Sequence, residues 1–344
     1  MNKKPDIRPF DDIRDLISKM PPADEESANA ARARDVDLTK PAGSLGRLEE
    51  IAIWISAWQG QHPPRIEKPM VAVFAGNHGV AAKGVSAFPA EVTHQMVANF
   101  KAGGAAINQL CKAVGASLKV FELALDIPTG DITEQDALSE ADCAATLAYG
   151  MEAVAQESDI LAIGEMGIAN TTIAAALAHG LFGGTAEDWV GRGTGVDDDG
   201  LARKRDAVAT AVARMKAAHG DNPDPLTVLG AVGGREFAAM AGAILAARFS
   251  KVPVVVDGYV ASAAAAVLFA LEPSAIDHCL FAHRSAEQAH IKLLEKMGRE
   301  PLFDLGLRLG EASGAALAIG IAKAAVEVHN GMSTFSEAGV ANKE

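Results

Sequence analysis

The sequence predicts an α/β fold: a six-stranded parallel Rossmann-like sheet flanked by helices, with a small helical domain built from the N- and C-terminal segments. Three observations carry this reading. From about residue 68 a unit recurs in which a short apolar, β-branched run gives way to a glycine-rich polar loop and then to an alanine-rich helical stretch, the rhythm of a parallel sheet covered on both faces. Apolar residues make up 49% of the 344-residue chain but aromatics only 5%, which suits close-packed helices on a sheet better than an aromatic-rich sandwich. Before residue 60 and after Ser313 the pattern is helical throughout.

Taken in order, the N-terminal helical stretches are DDIRDLISKM, SANAARARDVDLTK and GSLGRLEEIAIWISAWQG. The last carries Leu48, Ile51, Ile55 and Trp58 near 3.6-residue spacing and stops at Gly60. QHPPRIEKP then reads as a linker. The strand candidates are Met70–Ala75, Leu118–Leu123, Asp159–Ile163, Leu226–Leu229, Val252–Val256 and His278–Phe281. Polar loops follow them: GNHGV, GEMGIANTT, GAVGGREF, DGYVAS and AHRSAEQ. In open parallel sheets ligands bind beyond the carboxyl ends of the strands, so these loops are expected to converge on one crevice. The expected organisation is an N-terminal helical part (1–67), a large α/β catalytic domain (68–312) and a C-terminal helical segment (313–344) packing with the first part.

Composition excludes several function classes. A formal charge of −13 argues against a nucleic-acid or anionic-membrane partner, so any phosphate site must be a local pocket. Cys111, Cys143 and Cys279 are widely spaced and read as reduced core residues. The opening MNKKPDIRPFDDIRDL has no apolar core of a signal peptide, and Val254–Val256 and Ala261–Leu271 are too short or too alanine-rich to cross a bilayer. A cytoplasmic protein acting on small molecules is the expectation.

Five segments are candidates for chemistry. In GLRLGEASGAALA, Glu311 stands where a glycine-flanked loop turns into an alanine-rich helix, with Leu309, Leu317 and Ile319 nearby to raise its pKa by desolvation. This suits a lone general base, and equally a solvated helix-start glutamate favoured by the helix dipole. GEMGIANTT (164–172) delivers Asn170, Thr171 and Thr172 to a helix start, either as an anion cradle or as ordinary capping residues. GRGTGVDDDGLARKRDAV (191–208) lacks the third glycine of a dinucleotide fingerprint, and fits a phosphate loop with Lys204 as counter-charge or a surface turn before a charged helix face. Gly233–Gly234 opens a further helix, and Asp257–Gly258 places a carboxylate at the sheet's carboxyl edge. His78, His283 and His290 share no metal-ligand spacing, and neither GxSxG nor a Walker lysine motif is present.

Together these segments resemble the nicotinate-nucleotide:dimethylbenzimidazole phosphoribosyltransferase family of cobalamin biosynthesis. The matching blocks, in order, are TKPAGSLGRLE (39–49), FAGNHGVAAKGVSAFPAEVTHQMVANF (74–100), GGAAINQL (103–110), GEMGIANTT (164–172), GRGTGVDDDGLARK (191–204), LGAVGGREFAAMAGA (229–243), VDGYVASAAA (256–265) and DLGLRLGEASGAALA (304–318). The resemblance implies transfer of a 5-phosphoribosyl group from nicotinate mononucleotide to a benzimidazole nitrogen, with inversion, and with neither metal nor cofactor. It implies Glu311 as the base and Glu165 as a second carboxylate. It places the nucleotide and its phosphate at Gly167, Asn170, Thr171, Thr172, Gly193, Gly195, Lys204, Gly233 and Gly234, and the benzimidazole at Ser86, Phe88 and Gln95. A homodimer is expected on the same ground. Two departures stand out: Asn77 replaces the aspartate of AGDHGV, removing the basis for an ionic role of that loop, and Ala169 replaces the glycine of GIGNTT, a methyl that an ordinary backbone angle would tolerate.

The competing readings are a non-catalytic nicotinate-nucleotide sensor on the same fold and an NAD-dependent dehydrogenase. Glu311 disfavours the first, and the missing GxGxxG after the first strand disfavours the second.

Overall fold

The computed structural model describes residues 8–154 and 158–341. Five parallel strands, β1 (Pro69–Ala75), β2 (Ser117–Glu122), β3 (Ile160–Met166), β4 (Val254–Val256) and β5 (Cys279–Phe281), form one sheet in the order β2-β1-β3-β4-β5. Along β1, Met70, Ala72 and Phe74 point into one apolar core while Val71, Val73 and Ala75 point into another. Both faces are therefore buried, which is why β1, β3 and β4 read as continuous apolar runs, whereas the edge strand β2 is partly exposed and carries Lys119 and Glu122.

The expected sixth strand, Leu226–Leu229, is instead part of a helix, Pro225–Val232. Its start is fixed locally. Asp224 caps it by accepting from the Leu226 N–H at 2.9 Å, and Pro225 occupies the first turn, where its missing N–H costs nothing. A short apolar run cannot by itself distinguish a buried helix from a strand, and here the cap signal outweighs it. β3 also continues beyond the expected Ile163 to Met166, so Glu165 belongs to a strand end rather than a loop.

One face is covered by helices Glu140–Met151, Asn170–Phe182, Arg235–Phe249 and Tyr259–Leu271. The other carries Val92–Ala102, Ala106–Val114, Arg47–Gln59 and Ser313–Gly331. The C-terminal helix Ser313–Gly331 lies between Arg47–Gln59 and the sheet, and its alanines, Ala315, Ala316, Ala318 and Ala322, allow close approach to β3 and β4. Helix Glu25–Asp37 packs outside Arg47–Gln59, while Pro9–Ser18 packs on Glu140–Met151. The chain reverses its direction of travel across the sheet between β1 and β3, and the crevice at such a switch point opens at the carboxyl ends of the strands. No helix among the described residues is long and apolar enough to cross a membrane.

Candidate active site

A cavity of about 310 Å³ opens at that crevice. Its floor is the end of β3, Glu165, Met166 and Gly167, and the turn into helix Asn170–Phe182. Ala169 is the residue before that helix and holds φ +76°, so the backbone here is left-handed and the alanine methyl is carried against a steric preference of about 1–2 kcal/mol. Asn170 and Thr171 do not cap the helix. The Asn170 amide turns back to donate to Glu165 Oε2, and the Thr93 hydroxyl accepts from the Ile168 N–H at 3.1 Å.

Glu165 is buried, and its pKa is pushed well above the ordinary carboxylate value, first by burial and then by the charges of Asp257, Glu236 and Glu311. Burial and the three neighbouring carboxylates thus favour its protonated form, which can both accept and donate.

Glu311 stands opposite on three successive left-handed residues, Gly310 (φ +81°), Glu311 (φ +58°) and Ala312 (φ +60°), which lead directly into helix Ser313–Gly331. It is only 5% exposed, and its pKa is raised to about 7, first by burial and then by the charge of Asp257. The solvated helix-start alternative does not survive this burial. Leu309, expected to help desolvate it, is 55% exposed at the cavity mouth.

Asp257, just after β4, accepts from the Ala315 N–H at 2.9 Å and so holds the start of the same helix. Its Oδ1 is also 3.6 Å from His283 Nε2, which faces the cavity after β5. Burial alone would lower the His283 pKa, but Asp257 outweighs it and the net shift is upward. Gly314 makes this possible, because a side chain there would occupy the place of the His283 ring.

Lys204 is buried, at 1% exposure, and donates to Thr171 Oγ1 at 2.7 Å and to the Gly191 carbonyl at 2.9 Å. This disposes of the surface-turn alternative. Burial lowers its pKa to about 8 against the opposing charge of Glu287. Its ammonium thus ties the 191–195 loop to the start of helix Asn170–Phe182, and Thr171 rather than Lys204 reaches the cavity wall. Gly193, at φ +55°, lies in that wall, and its carbonyl accepts from Arg308 Nη1 at 3.0 Å.

The structure thus gathers Glu165, Gly167, Asn170, Thr171, Gly193, Phe88 and Glu311 around one cavity. Thr172 is fully buried beneath it, and Gly195 lies beyond its wall. Gly233 and Gly234 join helices Pro225–Val232 and Arg235–Phe249 behind the floor. Of the 86–95 segment, Phe88 lines the mouth, half exposed at 49%, while Ser86 accepts from the Phe88 N–H at 3.3 Å and Gln95 points to solvent. Val92 and Met96, one turn apart on helix Val92–Ala102, supply the apolar wall instead. Helical spacing of the apolar residues in EVTHQM could have revealed them. Arg308, Ser285 and Glu287 also face the cavity without any signal in the sequence beyond their place in loops near the strand ends.

Phe88, Val92 and Met96 give the cavity an apolar wall, and Gly167, Gly193, Gly258 and Gly310 line it as well; a pocket of this make-up at the switch point of a parallel sheet is where α/β enzymes bind nucleotides. Comparison with known proteins narrows the class. A family model described as a phosphoribosyltransferase matches residues 20–340. The nicotinate-nucleotide–dimethylbenzimidazole phosphoribosyltransferase of Rhizobium meliloti (strain 1021) is 62% identical over 337 residues, covering 98% of each chain. The protein of the same name from Brucella canis is 63% identical over 332 residues, covering 96% of this chain and 97% of that one. The crystal structure of the Thermus thermophilus protein of that name superposes with a TM-score of 0.86 at 39% identity, covering 93% of this chain and all of that one. The chain belongs to the nicotinate-nucleotide–dimethylbenzimidazole phosphoribosyltransferase family.

Proposed function

We propose that the protein transfers the 5-phosphoribosyl group of nicotinate mononucleotide to 5,6-dimethylbenzimidazole or a related azole, releasing nicotinate and α-ribazole 5′-phosphate for cobalamin biosynthesis. The observation that carries the mechanism is Glu311: a buried carboxylate with a pKa of about 7, facing a cavity with an apolar wall. A base poised near working pH combines a useful ionised fraction with enough basicity to accept a proton.

The azole N–H gives its proton to Glu311 as the other ring nitrogen attacks the anomeric carbon. The bond from that carbon to the pyridinium nitrogen breaks, its electron pair neutralises the nicotinate ring, and attack from the opposite face inverts the centre. No general acid is needed, because the leaving nitrogen departs without a proton. Phe88, Val92 and Met96 hold the azole; Gly167, Asn170, Thr171 and Gly193 hold the nucleotide, with Thr172, Gly195, Lys204, Gly233 and Gly234 supporting their turns. Glu165 faces the ribose, its protonated form favoured by burial and the carboxylates around it. In this reading residues 68–312 are the catalytic domain, residues 1–67 and 313–344 form the helical part, in which helices Arg47–Gln59 and Ser313–Gly331 pack together behind Glu311, and the working form is a cytoplasmic homodimer.

The test is incubation with both substrates, following nicotinate and the α-anomer of the product by chromatography. Binding of the nucleotide without nicotinate release would support a sensor and refute the enzyme.

A further inference from the structure

Behind the cavity floor, His78 Nε2 donates to Glu236 Oε1 at 2.6 Å, and both side chains are fully buried. The two residues come from distant parts of the chain. His78 follows β1, and Glu236 lies in the first turn of helix Arg235–Phe249. Their hydrogen bond rests directly against Gly167: a Cβ there would lie 3.1 Å from Glu236 Oε1 and 3.2 Å from His78 Nε2. Gly76 and Gly234 make room on the other sides, where a Cβ would come within 2.6 Å of Glu236 Oε2 and of His78 Cε1 respectively. The Gly76 N–H donates to the Met166 carbonyl at 3.0 Å, so the β1 loop is also bonded to the strand end that carries Glu165.

As a stabilising device this arrangement is poor. Among the described residues His78 Nδ1 and Glu236 Oε2 have no hydrogen-bond partner, and a buried polar atom left unpaired is destabilising. Apolar side chains of similar size would serve a core at least as well. A directional bond, unlike an apolar contact, fixes the distance between the elements it joins, and here the elements meet beneath the turn leading from Glu165 to Asn170.

We infer that His78 and Glu236 are a positioning pair for the transfer reaction, holding the Gly167 turn so that Glu165 and Asn170 meet the nucleotide in register. This rests on the nucleotide site proposed above. The pair acts through its hydrogen-bond geometry, since neither residue lines the cavity. A misplacement of the turn by about 1 Å is expected to cost roughly 10- to 100-fold in rate.

The experiment is steady-state kinetics on His78→Leu, Glu236→Leu and Glu236→Gln. The two leucine variants break the bond, and kcat/KM for nicotinate mononucleotide should fall by roughly 10- to 100-fold while KM for the azole stays within about twofold. Glu236→Gln keeps an acceptor for His78 and should recover most of the loss. Gly234→Ala crowds the His78 ring without removing a polar group and should reproduce the leucine phenotype. In the wild-type protein with labelled histidine, the far-downfield Nε2–H resonance of His78 should move when the nucleotide binds and stay in place when only the azole binds.

Leucine variants that fold, judged by circular dichroism, and keep wild-type kcat/KM for the nucleotide would overturn the inference. So would an equal loss in azole KM, or, if the variants do not fold, a His78 resonance indifferent to the nucleotide. Wild-type protein that releases no nicotinate would instead refute the proposed function.

Discussion

The α-carbon of Gly164, inside β3, lies against the backbone of Ala312, so closely that a Cβ on Gly164 would overlap the Ala312 nitrogen. The strand therefore has a gap at the level where residues 310–312 turn through three left-handed conformations. That gap lets the turn descend to the sheet and carries Glu311 into the cavity. Gly310 serves the same turn from the other side, since a side chain there would meet Glu165 Oε1.

Gly164→Ala should accordingly disturb Glu311 without touching it. Overpacking of this kind costs about 1–3 kcal/mol, because the obstructing atoms are backbone and cannot rotate away. Thermal unfolding should register that loss, and turnover should fall further than the folded fraction does. A variant with wild-type stability and turnover would show that the turn has room to spare.

Glu311→Gln should preserve the fold and nucleotide binding while lowering turnover by roughly 10²–10⁴-fold, the usual contribution of a positioned base. Single-turnover nicotinate release measures the chemical step directly. Retention of more than half the wild-type rate, with chemistry limiting, would remove Glu311 from the mechanism.

The pH dependence follows from the same residue. With Glu311 ionised as the proposed base, kcat should rise with pH and level off above about 7, and this limb should be absent from the Gln variant. Stability runs the other way. The pKa of Glu311 is raised from 4.5 to about 7 in the folded protein, so its contribution is fully present below about 4.5 and is lost as pH rises through about 7. At pH 8 the ionised, buried carboxylate costs on the order of 3 kcal/mol. Chemical denaturation of the ligand-free protein should find Glu311→Gln more stable than wild type at pH 8, with the difference shrinking toward pH 5.

Lys204→Met keeps the buried volume but removes the donor shared by Thr171 and Gly191. The 191–195 loop then loses its tie to the start of helix Asn170–Phe182, and KM for nicotinate mononucleotide should rise more than kcat falls. Because burial already disfavours this ammonium, the unfolding temperature should change little. An unchanged KM would mean that the loop is held by its other contacts, such as that from Arg308.

Activity should survive exhaustive chelation, since a cationic pyridinium leaves as a neutral ring and has no pyrophosphate charge for a cation to neutralise. Assay after EDTA treatment and desalting checks this. A loss restored by Mg²⁺ or Zn²⁺ would point to a different phosphoribosyl donor.

Much of this could be read in the chain itself. Continuous apolar runs marked β1, β3 and β4, since strands buried on both faces leave no room for polar alternation, and the glycine-rich loops after the strands marked the crevice. Glu311 stood out because small residues flank it on both sides. Leu226–Leu229 misled because strand and helix share a short apolar run, and a single capping aspartate with the proline after it settles the choice. Other features arise only when distant segments meet. Asp257 and Ala315, His78 and Glu236, and Lys204 and Thr171 are 58, 158 and 33 residues apart, and no local spacing brings them together. The pKa of about 7 at Glu311 belongs to this second group. A residue's type fixes its ordinary pKa, but the shift comes from water excluded and charges approached, and both depend on how the chain folds back on itself.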